Sequence, residues 1–146
     1  MIPPFDNTGN LPPGIHWATW EEFIQRFGVN EHRRMLIRGL EAALISLHTA
    51  SCSVAYIDGT FVSSKELPND YDGCWETTGV DFNLVDPVLL TFTDGRRVQK
   101  TKYMGELFPA RISDGTTGLI FLDFFQIDKD NGSQKGIVAL DLRSMK

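Results

Sequence analysis

Asp70 and Asp72 are the side chains in this sequence with the clearest capacity for chemistry. In a β-strand, side chains two positions apart project from the same face, so the two carboxylates would lie side by side. Neighbouring carboxylates repel each other unless a positive charge lies between them. Hard oxygen ligands suit Mg²⁺ or Mn²⁺, and these metals also bind phosphate oxygens. The spacing therefore predicts a divalent metal site that accepts phosphates.

Gly59 and Thr60 supply the other half of the predicted site, because they follow the apolar run 54–57 and nine residues separate them from Asp70. If a helix begins at this point, its free amides and the Thr60 hydroxyl form an anion site. A phosphate can come close to the backbone there, because Gly59 has no side chain. Ser63 and Lys65 follow in the same segment and join the predicted phosphate-binding group. Phosphates beside metal-binding carboxylates predict a nucleotide site, where attack on an α-phosphate is the supported chemistry.

Two helices are predicted before these residues. Thr19 and Glu22 have the spacing of a capping box, which starts a short helix that ends near Phe27. Asn30 is placed to cap a second helix, which continues to about His48 with apolar residues recurring at helical spacing.

The remainder of the chain has the patterns of strands and turns. We predict strands over 53–58 and 70–76, and a hairpin whose strands are 118–127 and 136–142, joined by the turn 128–132. Two helices before a mostly β remainder indicate an α+β domain, in which the N-terminal helices pack on one face of a mixed sheet.

Length and composition limit the classes of protein. The 146 residues suit a single domain, with residues 1–18 as an N-terminal arm rich in proline and glycine. The net charge of −5 argues against a broad nucleic-acid-binding surface. Cys52 and Cys74 are too few for a disulfide framework, and no apolar run is long enough to span a membrane. The first residues lack the pattern of a signal peptide, so we expect a cytoplasmic protein with free thiols.

Gly59-Thr60 followed by Asp70-Tyr71-Asp72 resembles the signature of the polymerase-β-like nucleotidyltransferase superfamily, a Gly-[Gly/Ser] pair and then Asp-x-[Asp/Glu]. Four longer stretches extend the resemblance. They are GNLPPGIHWATWEEFIQRFG, AYIDGTFVSSKELPNDYDG, KYMGELFPA and LDFFQIDKDNGSQKGIVALDL. Together they resemble a family of small, functionally unassigned prokaryotic proteins with nucleotidyltransferase-like character, similar to components of toxin–antitoxin and defence loci. Thr60 departs from the usual Gly or Ser but keeps a hydroxyl.

The resemblance implies a nucleotidyltransferase-like fold and a catalytic set that also binds Mg²⁺ or Mn²⁺. Asp70 and Asp72 would be two of its members, and the third carboxylate is expected in a later strand between apolar residues. Asp123 is the best match, although a structural hydrogen bond explains it equally well; Glu106 and Asp81 are the alternatives.

The same resemblance implies that a nucleotide is transferred from a nucleoside triphosphate to a hydroxyl of a protein or an RNA. The protein would be a prokaryotic cytoplasmic component of a toxin–antitoxin pair, with no membrane partner. A second hypothesis is a catalytically inactive binding module of the same fold, acting as an antitoxin-like or regulatory partner. A third is a structural domain without a ligand. Trp75, near the predicted site, either packs in the core or stacks on a base.

Overall fold

A mixed five-stranded sheet organises the residues described by the computed structural model, which are 2–128 and 131–145. The spatial order of the strands is β1-β5-β2-β3-β4. The central strand β2 is antiparallel to both of its neighbours, whereas the outer pairs β1–β5 and β3–β4 are parallel. The strands are β1 Gly14–Ala18, β2 Val54–Asp58, β3 Tyr71–Trp75, β4 Gly105–Pro109 and β5 Gly136–Asp141.

The described residues also form four α-helices, two of which are the predicted N-terminal ones. Thr19 accepts a hydrogen bond from the Glu22 amide at 3.1 Å, and the Glu22 carboxylate accepts one from the Thr19 amide at 3.0 Å, which completes the capping box. Asn30 accepts from the Arg33 amide at 2.8 Å and starts the second helix. The helices are α1 Trp20–Phe27, α2 Glu31–Thr49, α3 Arg97–Tyr103 and α4 Phe121–Phe124.

Helices α1 and α2 cover one face of the sheet and form the main core with it. Phe23 and Leu40 are fully buried in this core together with Ile57 and Leu140 of the central strands. The predicted placement of the N-terminal helices on one face of a mixed sheet is therefore confirmed. Trp75 is also fully buried on this face, so it packs in the core and is not accessible to stack on a base.

The opposite face, called here the second face, has a smaller apolar cluster that includes Tyr56, Cys74 and Ile137. Phenylalanines from β4 and from the segment around α4 pack against it. Both cysteines are free and buried, as expected. Within the described part of the chain, no helix has the length and apolar character needed to cross a membrane.

The predicted strand 118–127 and the predicted hairpin are wrong. The run 118–127 contains two isolated bridge residues, Ile120 and Ile127, and the short helix α4, because Phe121, Phe124 and Phe125 follow helical spacing on one side of the segment. Strand β5 pairs with β1 and β2 instead of forming a hairpin with that run. In the predicted turn 128–132, the Gly132 amide donates to the Asp128 carbonyl at 2.8 Å, while residues 129 and 130 lie outside the described residues.

The predicted arm also contains a strand, β1, which adds to the sheet edge beside β5. Its proline- and glycine-rich surroundings obscure the alternation of apolar residues over Gly14–Ala18.

A buried arginine fixes the segment between β2 and β3. The Arg33 side chain of α2 is 2 % exposed, and its guanidinium donates to the carbonyl oxygens of Phe61, Ser63 and Lys65 at 2.7, 3.0 and 2.6 Å. It also donates to the Phe27 carbonyl at the end of α1, at 3.3 Å. Hydrogen bonds from a charged donor are about twice as strong as neutral ones, so this guanidinium joins three segments tightly.

We expect Arg33→Met to lower the free energy of unfolding by about 3 kcal/mol, because several buried carbonyls lose their donor while the side-chain bulk remains. Arg38→Met is the matched control, since Arg38 lies on the same helix, is mostly exposed, and should change stability by less than about 0.5 kcal/mol. Urea denaturation of the two variants measures both values. Equal stabilities would show that the buried guanidinium does not hold this segment.

Candidate functional site

Three carboxylates lie in one row across the second face of the sheet. The strand register places Asp58, the last residue of β2, opposite Asp72 of β3, and Asp72 opposite Glu106 of β4. Side chains that are directly opposite across two strands share a face, and like charges in such positions are destabilising. The three carboxylates therefore repel one another, and a ligand of positive charge would offset that repulsion.

The row lines a cavity of about 490 Å³, a volume within the usual range for small-molecule sites. Asp58, Asp72 and Glu106 all line it, as do Gly59 and Thr60. Four phenylalanines of β4 and the α4 segment, called here the aromatic end, also line it, and so do Asp114, Asp128 and Lys135. The cavity thus combines the carboxylate row with aromatic side chains and further charged groups.

Two cations lie at the Glu106 side of the row. The Arg96 Nε atom is 2.8 Å from Glu106 Oε2, and the Lys100 Nζ atom is 3.7 Å from the same oxygen. The hydrogen bond to Glu106 raises the pKa of Arg96, and the charges of Glu106 and Asp72 add to this effect. Arg96 therefore offsets part of the negative charge of the row.

The backbone that carries Arg96 is in an unusual conformation. Asp94, Gly95 and Arg96 have φ values of 54°, 63° and 62°, so three successive residues are left-handed. For residues other than glycine this conformation costs about 1–3 kcal/mol each and persists only where surrounding contacts impose it. The salt bridge between Arg96 and Glu106 is one such contact.

A double-mutant cycle of Arg96→Gln and Glu106→Gln should give a coupling free energy of about 1 kcal/mol, because the pair is short but its guanidinium is about one third exposed. The pair Arg97–Asp94 is the control, since it is 3.4 Å long and exposed on both sides. Its cycle should give less than about 0.5 kcal/mol. Chemical denaturation of each variant provides the values, and equal couplings would contradict a special role for Arg96.

Gly59 makes room beside the row. Its φ of +76° favours glycine, and a Cβ atom added there would lie 3.1 Å from Asp72 Oδ2. The residues Gly59–Val62 form one 3-10 turn, so the predicted helix start is only a short turn. Thr60 is exposed at the cavity, and its carbonyl accepts from the Ser63 hydroxyl at 2.6 Å.

The structure places the predicted phosphate-binding residues in two groups. Gly59 and Thr60 line the cavity, as the sequence predicts. Ser63 and Lys65 are not among its lining residues, and their carbonyls accept hydrogen bonds from Arg33 instead. Their role as phosphate ligands receives no geometric support from this arrangement.

The predicted carboxylates are likewise divided. Asp72 lines the cavity, whereas Asp70, half-buried just before β3, does not. Asp123 was expected in a strand, but it is exposed on α4 and does not line the cavity. Asp81 is exposed and accepts from the Asn83 amide at 3.0 Å, which caps a 3-10 turn. Of the expected set Asp70, Asp72 and Asp123, Asp72 is therefore the one member that lines the cavity.

Sequence reasoning missed Asp58, which is 2 % exposed and lines the cavity next to Gly59. The available signal was a carboxylate at the end of an otherwise apolar strand, directly before Gly-Thr. Glu106, proposed only as a substitute, is the later carboxylate that the structure brings to the row.

The donor set of the row fits a hard divalent cation. Mg²⁺ is usually held by one or two carboxylates together with substrate phosphates, rather than by a complete protein cage. Asp58 and Asp72 provide such carboxylates, and the missing side chain of Gly59 leaves space next to the Asp72 oxygen. Over the ranges 2–128 and 131–145, no cluster of three or more His, Cys, Asp and Glu side chains is arranged to hold a metal by itself.

A second charged group on the same face consists of Glu76, Arg111 and Tyr56, which bond to one another. Arg111 donates to both oxygens of Glu76 at 2.9 and 3.0 Å, and the Tyr56 hydroxyl donates to Glu76 Oε2 at 3.3 Å. The hydrogen bonds from Arg111 lower the pKa of Glu76. Burial, followed by the nearby charge of Glu76, raises the pKa of Tyr56 to about 12. This group lies outside the cavity lining.

The lowered pKa of Glu76 predicts a pH dependence of stability. Its contribution is fully present above the unfolded-state pKa near 4.3 and is lost as the pH falls through the lower folded-state pKa. In Arg111→Gln we expect a loss of about 1 kcal/mol at pH 7, since the half-exposed guanidinium is screened, and a smaller loss at pH 3.5.

Denaturation of the wild type and Arg111→Gln across this pH range tests the expectation. Arg143→Gln is the control, because that exposed guanidinium pairs locally with Asp141 and leaves Glu76 untouched. A stability difference for Arg111→Gln that does not change with pH would contradict the assigned ion pair.

The fold and the cavity together define an α+β protein with a mixed five-stranded sheet and a carboxylate-lined site at the end of its central strand. The chain belongs to DUF6932, a family of unknown function, whose family model matches residues 3–141. No curated protein and no solved structure matches the chain.

Proposed function

We propose that the protein is a metal-dependent nucleotidyltransferase that transfers a nucleotide from a nucleoside triphosphate to a hydroxyl of a protein or an RNA. The observation that carries this proposal is the row Asp58, Asp72 and Glu106, which faces one cavity beside Gly59 and Thr60. Carboxylates beside a glycine turn suit a triphosphate held with divalent cations. The reaction agrees with the one that the sequence resemblance implies, and the nucleotidyltransferase-like fold is part of the same proposal.

Each residue of the row has a role in this scheme. Asp58 and Asp72 would hold Mg²⁺ or Mn²⁺, which supplies charge neutralisation of the phosphates and a more acidic acceptor hydroxyl. Gly59 lets the phosphates approach the backbone, because it has no side chain between them and Asp72. Arg96 contributes positive charge at the same end of the cavity.

The transfer replaces one phosphorus–oxygen bond with another. The acceptor oxygen forms a bond to the α-phosphorus while the bond from that phosphorus to the oxygen bridging to the β-phosphate breaks, and pyrophosphate leaves. The hydroxyl proton passes to a carboxylate of the row, for which Glu106 is placed at the cavity.

The test measures binding of ATP, GTP, CTP and UTP by calorimetry, with and without Mg²⁺. We expect metal-dependent binding of at least one nucleotide, reduced at least about 10-fold in Asp72→Asn and in Asp58→Asn, because each loses a charged metal ligand. Asp123→Asn is the matched control and should bind like the wild type, since Asp123 is exposed and does not line the cavity. Asp70→Asn determines whether the remaining predicted carboxylate contributes.

Thermal unfolding of each variant separates a lost site from a lost fold. Transfer of labelled nucleotide to protein or RNA then follows with the nucleotide that binds. A folded wild type that binds none of the four nucleotides would exclude the proposed reaction.

A catalytically inactive binding module is the second candidate. The observation that favours it is that Glu106 is already engaged by Arg96 and Lys100. In that case nucleotides bind without transfer, or a cognate toxin or antitoxin protein binds instead. Metal-dependent binding with no labelled product on any acceptor supports this candidate, whereas labelled product excludes it.

A further inference from the structure

The aromatic end of the cavity begins where the carboxylate row ends. Phe108 follows Glu106 by two positions in β4, so both side chains project from the second face. The guanidinium carbon of Arg96 lies 5.6 Å from the centroid of the Phe108 ring while its Nε contacts Glu106. Charged and aromatic groups are therefore continuous along one wall.

The phenylalanines at this end form an ordered stack. Phe108 and Phe121 are 4.3 Å apart with planes 13° from parallel, and Phe92 stacks on Phe108 at 5.6 Å and 16°. Phe125 packs against both central rings at 5.9 and 5.6 Å. Such a column presents flat apolar surface in a fixed orientation.

Phe124 is the ring best placed to meet a ligand. It lines the cavity, but it is not among the phenylalanines packed against the apolar cluster of the second face. Its ring stands edge-on to Phe121 at 6.4 Å and 89°. A half-buried aromatic ring that borders a cavity without joining the core gains contacts when a flat group enters.

We infer that the aromatic end holds the base of the nucleoside triphosphate, with the Phe124 ring as its stacking surface and the Phe121 ring edge-on to that ring. This inference rests on the proposed function, because the row and its metal would hold the triphosphate at the other end. One cavity of about 490 Å³ lined by both the carboxylate row and the phenylalanines suits a ligand with a charged part and a flat apolar part. Every base has a π-face, so stacking of this kind is tolerant of base identity.

The experiment compares ATP with inorganic tripolyphosphate, which has the charge but no base. Each is titrated calorimetrically in the presence of Mg²⁺ into the wild type, Phe124→Ala and Phe124→Trp. We expect Phe124→Ala to bind ATP about 5- to 100-fold more weakly, the range that loss of one base–aromatic stack gives, and to bind tripolyphosphate unchanged. Phe124→Trp should retain ATP binding. Phe92→Ala is the matched control, because Phe92 belongs to the stack but does not line the cavity.

The outcomes separate this inference from the proposed function. Equal ATP affinities in the wild type and in folded Phe124→Ala would overturn the base site and leave the nucleotidyltransferase proposal standing. Equal losses for ATP and tripolyphosphate would also overturn it, since the ring would then act through the fold. A wild type that binds neither ligand removes both proposals. If Phe124→Ala does not fold, Phe124→Leu keeps the apolar bulk and tests the same loss of stacking.

Discussion

The Arg33 guanidinium is the interaction on which the site depends, because it fixes the path of the chain as it leaves β2. Its partners are carbonyl oxygens at the end of α1 and along the segment from Phe61 to Lys65. A cation can satisfy several buried carbonyls at once, which no neutral side chain of similar size does. The guanidinium carbon also lies over the ring of Phe61, 4.9 Å from its centroid. These contacts fix the residues that directly follow Gly59 and Thr60.

The main core and the candidate site lie on opposite faces of the sheet. The face under α1 and α2 buries large side chains such as Phe23 and Trp75 and carries most of the core. Like charges opposed across strands are destabilising, so they are tolerated more easily on the second face, whose apolar cluster is smaller. Arg96 and Lys100 contact Glu106, and the charge of Asp72 also acts on Arg96, so these cations offset part of the negative charge of the row.

Capping residues and apolar spacing, which are read from neighbouring residues in the sequence, correctly predicted the N-terminal helices. The caps at Thr19 and Asn30 and the apolar spacing that follows them are enough to define α1 and α2. The apolar run 118–127 was misassigned because a short continuous run does not distinguish a buried strand from a helical turn. Asp72 was found from its motif, whereas Asp58 and Glu106 meet it only through strand register, which joins residues 14 and 34 positions away in sequence.

The same register explains why the sequence favoured Asp123 over Glu106. A motif search looks for a carboxylate among apolar residues, and Asp123 has two apolar neighbours on each side. Glu106 has fewer, but its strand runs parallel to β3, and the register places Glu106 directly opposite Asp72. Position in a sheet is set by pairing and not by local composition, so the side chain that completes the row is the one whose strand lies beside β3. Phe108 lies two positions after Glu106 in β4, so it projects from the same face and connects the carboxylate row with the aromatic stack.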